Sequence, residues 1–350
     1  GTGGSGGAGG DGGGGGAGGG AGACLPESVH QADFALAGDT LCVVERVDAP
    51  GLFVEPYGAA PSWGRHGGLL TLLPDQGGVT LIRWSVVDGA LLGDDTDVAV
   101  AGLPGDAFIG EQAVDLPGTS ATAFAWTGSD FFNEGGLVVA TGSGVSSKLL
   151  TGGGGLAASA TGGGRLFHAG LSAIGGAAVA TVGLYAADLA GGGVADGAVV
   201  EAWGLATGPT AVDADGHVLS IQTDYLEETQ ELRLYAAADV APGSGAAVGT
   251  ALAVLPGYGD ALAVMAPSGA RPGLVFLQRN EGALGAHRDV ELLRYTPGQA
   301  VSTPATSAET VIDLAAEDTN VTLTIDDQER LWLGVPRDDG AVFYVLARTD

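Results

Sequence analysis

Val212-Asp213-Ala214-Asp215-Gly216-His217-Val218-Leu219 and Ile325-Asp326-Asp327-Gln328-Glu329-Arg330-Leu331-Trp332 have one plan: an apolar residue, an aspartate, a polar turn, then an apolar strand. A polar hairpin follows each, and then a strand with an aromatic near its end, Leu232 to Tyr235 and Val342 to Tyr344. That closing strand recurs as Leu81-Ile82-Arg83-Trp84, as Gly183-Leu184-Tyr185-Ala186-Ala187-Asp188 and as Leu292-Leu293-Arg294-Tyr295. Leu234-Tyr235-Ala236-Ala237-Ala238-Asp239 nearly copies the second of these. Tyr185 to Tyr235 is 50 residues, Tyr235 to Tyr295 is 60, Tyr295 to Tyr344 is 49 and Trp84 to Trp126 is 42. A period of about 40–50 residues with several strands per unit is the signature of β-propeller blades.

The rest of the chain agrees. Leu41 to Val47, Leu69 to Leu73, Val79 to Val87, Ala121 to Trp126, Gly136 to Ala140, Leu166 to Leu171 and Ala177 to Tyr185 are short apolar runs bounded by Gly, Pro or Asp. Such runs read as strands, and no helical period persists beyond about ten positions. Residues 24–350 are therefore expected to be all-β, a propeller of about seven blades, with six or eight also compatible with the irregular spacing. A blade is too small to bury both faces alone, so blades stack around an axis, where abundant Ala and Gly permit close approach. The rival architecture is a pair of β-sandwiches.

The pattern of apolar residue, Asp, two residues, Gly and strand at Val212 to Leu219, echoed at Ile325 to Trp332, resembles the blades of secreted bacterial β-propellers. It lacks the Trp-Asp ends of WD40 blades and the spaced Gly-Gly, Tyr and Trp of kelch blades. The resemblance implies a fold and no activity.

Residues 1–23 form a Gly-rich tether. The first 22 residues contain 16 glycines. With no side chains to bury and the largest backbone entropy to lose, such a segment builds no core. As a flexible linker it spans roughly 25 Å on average. It is similar to the arms of exported surface lipoproteins. A signal peptide, with a lipid-bearing cysteine, is expected upstream of Gly1. Forty-one acidic residues face 13 basic ones, a net charge of -28, with Lys148 as the single lysine. That surface repels nucleic acid and anionic headgroups. No run of about 20 apolar residues exists to span a membrane. The two cysteines, Cys24 and Cys42, are expected to pair and staple the first strand, which implies an oxidising compartment. The alternative is two unrelated thiols in a reducing cytoplasm.

Candidate chemistry is sparse. Asp213-x-Asp215-Gly216 resembles the start of a calcium loop, because adjacent carboxylates can turn several oxygens onto one hard cation. The favoured reading is an ordinary Asp-Gly turn joining two strands. Gly93-Asp94-Asp95-Thr96-Asp97 is expected to be an exposed acidic loop, and Glu227, Glu228 and Glu231 a solvated hairpin. His30, His66, His168, His217 and His287 show no metal-ligand spacing. There is no Gly-x-Ser-x-Gly elbow, and the glycine runs 152–155 and 162–164 lack the Lys of a P-loop. Three functions follow as expectations. The first is an exported, surface-displayed propeller that binds a protein or cell-surface partner, or builds the envelope, located outside the cell or in the periplasm. The second is a calcium-dependent propeller enzyme, a hydrolase or lyase acting on sugars or lactones. The third is a subunit of an extracellular assembly or fibre that packs its Gly-rich arm into a neighbour.

Overall fold

A computed structural model describes residues 23–53, 61–64, 66–75, 78–99, 108–116, 121–127, 135–141, 144–150, 156–159, 165–173, 180–190, 193–194, 198–202, 206–224, 226–241, 247–280, 286–287, 289–316 and 319–349. Residues 1–22 of the tether and the glycine runs 152–155 and 162–164 lie outside the described residues.

A 3₁₀ turn (Glu27–Val29) leads to β1 (Phe34–Leu36) and β2 (Leu41–Pro50). Blade I holds β3 (Ser62–Gly64), β4 (Gly68–Asp75), β5 (Gly78–Val87) and β6 (Ala90–Ala99). Blade II holds β7 (Phe108–Asp115), β8 (Thr122–Thr127), β9 (Gly135–Thr141) and β10 (Gly144–Leu150). Blade III holds β11 (Leu156–Ser159), β12 (Arg165–Ala173) and β13 (Ala180–Ala190), with β14 (Gly193–Val194) and β15 (Ala198–Ala202) both paired to β13. Blade IV holds β16 (Ala206–Val212), β17 (Val218–Asp224), β18 (Thr229–Tyr235) and β19 (Thr250–Pro256). Blade V holds β20 (Tyr258–Met265), β21 (Gly273–Asn280), β22 (Val290–Tyr295) and β23 (Glu309–Leu314), and β1 adds a fifth strand to its edge. Blade VI holds β24 (Thr322–Ile325), β25 (Leu331–Arg337) and β26 (Gly340–Arg348), and β2 supplies its fourth strand.

The first strands of successive blades touch one another in order, and β24 touches β3, so six inner strands close a ring among the described residues. This is a six-bladed propeller, and the paired-sandwich alternative is excluded. The count is the lower of the two expected as alternatives to seven. β2 runs antiparallel to β26 from Leu41↔Arg348 to Pro50↔Gly340. The two ends of the chain thereby clasp blade VI. At the far end of β2 a single parallel bridge, Asp48↔Ala90, reaches the outer strand of blade I.

The core lies between blades. Leu69, Ile82 and Trp84 of blade I pack with Trp332, Phe343 and Val345 of blade VI. Leu70 and Leu72, on the opposite face of β4 from Leu69, pack with Ala113, Phe124 and Val138 of blade II. The two-residue period of a strand thus feeds two junctions at once. Phe167, Leu184 and Val200 of blade III meet Val218 and Tyr235 of blade IV, and Leu219, Ile221 and Leu232 of blade IV meet Leu262, Val264 and Val275 of blade V. Phe34 of β1 and Val43 of β2 join residues of blades V and VI in one further cluster. Full burial of each such side chain contributes about 1.5–3 kcal/mol. The run Gly93 to Asp97 lies within β6 and not in a loop; its exposure is that of an outer strand.

Candidate functional site at the inner-strand turns

The repeated octapeptides form the same turn in blades IV and VI. In blade IV the Asp213 amide donates to the His217 carbonyl, and the Gly216 amide to the Asp213 carbonyl. In blade VI the Asp326 amide donates to the Arg330 carbonyl, and the Glu329 amide to the Asp326 carbonyl. Each aspartate then accepts the backbone amide four residues on, His217 N at 2.8 Å and Arg330 N at 2.9 Å. A short acceptor side chain that satisfies turn amides is why Asp stands here. The turn needs a left-handed residue at its fourth position. Blade IV supplies Gly216 at φ 86°, where no Cβ is in the way, and blade VI places Glu329 there at φ 57°.

The remaining carboxylate oxygens are also taken. Asp213 Oδ2 accepts His217 Nδ1 at 2.9 Å and, across the blade junction, the Tyr295 hydroxyl at 2.5 Å. Asp326 Oδ2 accepts Arg330 Nε at 2.7 Å and Trp332 Nε1 at 2.9 Å. Asp115, at the end of the inner strand of blade II, accepts Thr122 Oγ1 at 2.5 Å and Arg83 Nη2 of blade I at 3.3 Å. Three inner strands therefore end on a buried, hydrogen-bonded aspartate at the same end of the ring. Burial, and then the Asp213 carboxylate, push the Tyr295 phenol far above its ordinary range, so it stays a donor.

Glu329 is different. Its side chain crosses from blade VI and its Oε2 accepts the backbone amide of Ala266, just past the inner strand of blade V, at 2.7 Å. Burial raises the proton affinity of this carboxyl; the Ala266 bond opposes that, and the charges of Asp213, Asp215 and Asp326 add to it. Asp215 is exposed on the blade IV turn. The mouth formed by blades IV to VI therefore carries a carboxyl inclined to keep its proton among other carboxylates.

The other expected positions fall elsewhere. Cys24 and Cys42 are bonded to each other. Nδ1 of His30 lies 3.1 Å from the Phe34 carbonyl, and its ring stacks on the Phe34 ring at 4.7 Å. His66, in the turn between β3 and β4, has its pKa lowered by burial, with Asp115 partly opposing. His287 bridges Asn280, and the side chain of His168 lies outside the described residues. Glu227 and Glu228 make the tip between β17 and β18, while Glu231 lies on β18 and pairs with Arg233 at 3.0 Å. Glu201 spends its carboxylate on Arg233, the Tyr235 hydroxyl and the Gly249 amide.

Of the two expected calcium ligands, Asp213 is already hydrogen-bonded and Asp215 is exposed. Asp213 accepts three N–H or O–H groups. Among the described residues, no group of three His, Cys, Asp or Glu side chains could hold a metal ion. No described helix is long and apolar enough to cross a membrane. Sequence reasoning missed Glu329 and Tyr295 as site residues. Glu329 stood in the quoted repeat in the place of Gly216, and that exchange was the available signal.

No family model matches the sequence, and no curated protein does. Solved structures align over most of the chain. A glucose dehydrogenase is 13% identical, with 87% of this chain and 99% of that chain covered and a TM-score of 0.44. Regucalcin from Agrobacterium tumefaciens, a calcium-binding protein, is 13% identical, with 85% and 94% covered and a TM-score of 0.44. Virginiamycin B lyase from Staphylococcus aureus is 10% identical, with 88% and 98% covered and a TM-score of 0.44. Overlays this partial carry no functional argument.

Proposed function

We propose that the protein is a propeller enzyme, a hydrolase or lyase, that works on a neutral, hydroxyl-rich substrate such as a sugar or lactone at the mouth of blades IV to VI. One observation carries this reading: the half-buried Glu329 side chain crosses the blade junction to the Ala266 amide at 2.7 Å, where burial and the charges of Asp213, Asp215 and Asp326 raise its proton affinity. A general acid must keep its proton near the working pH, and burial among like charges is the usual means. Exposed Asp215 is the neighbouring carboxylate free to take a proton or accept a substrate hydroxyl. A net charge of -28 disfavours anionic substrates.

The test is turnover of a panel of lactones and aryl glycosides across pH 4 to 8, with and without added calcium. The expected result is a rate that falls on the alkaline side, and the loss of both rate and that limb in Glu329→Gln. Absence of turnover, or a variant with the parent profile, overturns the assignment.

The second reading is a displayed binding module for a protein or cell-surface partner, held by its Gly-rich arm outside the cell or in the periplasm. The observation in its favour is that Asp213 and Asp326 are engaged as turn caps and Asp115 is held by Thr122 and Arg83. Binding without turnover in the same panel supports it.

A further inference from the structure

The inner strand of blade I, β3, has a described neighbour on three sides. β4 pairs with one of its edges, where Trp63 faces Leu69 in register. One face of β3 meets blade II: Ser62 Oγ donates to the Ala113 carbonyl, and a Cβ on Gly64 would lie 3.2 Å from Asp115 Oδ2. Trp63 points the other way, as strand alternation requires. Its ring meets the Trp332 ring of blade VI with centroids 5.1 Å apart and planes tilted by 48°. Its amide donates to Thr324 Oγ1, on the inner strand of blade VI, at 3.1 Å. Trp332 Nε1 in turn donates to Asp326. Trp332 and Trp84 are buried, whereas Trp63 is only half-buried. With β4 and both neighbouring blades taken, the direction left for the open part of the indole is the central channel and its mouth. The mouth is close: the chain turns directly after Trp63, where the Gly64 carbonyl accepts the Gly67 amide.

We infer that Trp63 is a stacking platform for a sugar ring, so that the mouth takes an oligosaccharide and not a single-ring lactone. Glu329 and Trp63 stand on opposite flanks of one turn of blade VI. Glu329 leaves that turn toward Ala266 of blade V. Asp326, which opens the turn, holds Trp332 against Trp63 on the side of blade I. A ligand that touches both flanks crosses the turn, and that calls for more than one ring. The chemistry of the platform fits a neutral sugar. One face of a sugar ring is a patch of weakly positive C–H bonds, which matches the negative face of an indole. The hydroxyls on its rim suit the acceptors of the turns, and the carboxylates at the mouth repel an anionic ring. The inference rests on the proposed function for the reaction, while the binding step is measured apart from it.

The experiment measures binding of cellotriose, arabinotriose and galactotriose, and of their single sugars, to Glu329→Gln by calorimetry, and turnover of the same trisaccharides by the parent. In the Glu329→Gln background, Trp63→Ala is expected to weaken trisaccharide binding about tenfold, the worth of roughly 60 Å² of apolar contact, and Trp63→Tyr to restore most of it. Trp63→Leu, which keeps an apolar side chain on Trp332, repeats the comparison if the Ala variant fails to fold. Binding that depends on Trp63, without turnover in the parent, upholds the platform and overturns only the catalytic reading of Glu329. Turnover that Trp63→Ala or Trp63→Leu leaves unaltered overturns the platform alone. No binding of any trisaccharide, equal binding of single sugars and trisaccharides, or tighter binding of choline, a cation that takes the same ring face, overturns the inference.

Discussion

Tyr295→Phe removes one oxygen from the junction between blades IV and V and leaves the ring in place. The hydroxyl lies 2.5 Å from Asp213 Oδ2, and the Asp213 side chain is wholly buried. Water cannot replace the lost donor without opening the junction. A buried hydrogen bond to a charged acceptor contributes about 1.5–3 kcal/mol, so the variant is expected to lose about 2 kcal/mol. For a chain of this size that lowers the thermal midpoint by about 3 °C. Urea denaturation of the parent, Tyr295→Phe, Asp213→Asn and the double variant closes a cycle, with an expected coupling of at least about 1 kcal/mol. A Tyr295→Phe loss below about 0.5 kcal/mol, or strict additivity with Asp213→Asn, refutes the reasoning. Asp213 would then be a turn cap with a spare lone pair at the mouth, and its role in joining blades IV and V would fall.

Four further outcomes are expected. Glu329 binds its proton more tightly in the folded chain, so its contribution to stability is full below the ordinary carboxyl value of 4.5 and is lost as pH rises through its raised folded value. Glu329→Gln removes that slope, and its melting temperature relative to the parent should climb between pH 4 and pH 7. Arg279 and Glu291 form a buried bidentate pair at 2.6 and 2.5 Å; Arg279→Met should cost about 3–5 kcal/mol in urea, and the double change to apolar residues far less. Opening the Cys24–Cys42 bridge should cost about 3 kcal/mol in the same assay, if loop entropy governs. A Cβ at Gly68 would overlap the Trp84 carbonyl; Gly68→Ala should therefore lose more than about 3 kcal/mol, and a neutral outcome by calorimetry would contradict the described packing of β4 on β5.

The strands were legible because their cues are local. Leu69 to Leu73 and Val79 to Val87 fall inside β4 and β5, and the pairing Leu72↔Leu81 follows from the turn between them. The blade count was less legible, for two reasons. Trp84, Tyr185, Tyr235, Tyr295 and Tyr344 all lie on third strands, but Trp126 lies on the second strand of blade II. The interval of 42 therefore compared unlike strands and shortened the period. β1 and β2 moreover belong to blades V and VI, which no local pattern can announce. At the site, the equivalence of Asp213 and Asp326 was visible as a repeat. The reach of Glu329 to Ala266 and of Tyr295 to Asp213 was not, because both cross a junction between blades far apart in sequence.

The clasp also orders events in time. β2 is made before blades I to V and its partner β26 after them, since Leu41 pairs with Arg348. The intervening loop of about 300 residues costs about 5 kcal/mol to close if the chain is otherwise unstructured. Blades I to V, built from neighbouring hairpins, can form beforehand and shorten that search. Ring closure is then the late, non-local step on which the folding rate depends. A ribosome that stops anywhere before residue 340 leaves blade VI unclosed and an apolar strand, Leu41 to Pro50, without its partner. Fidelity of residues 340–348 thus decides the fate of residues 41–50.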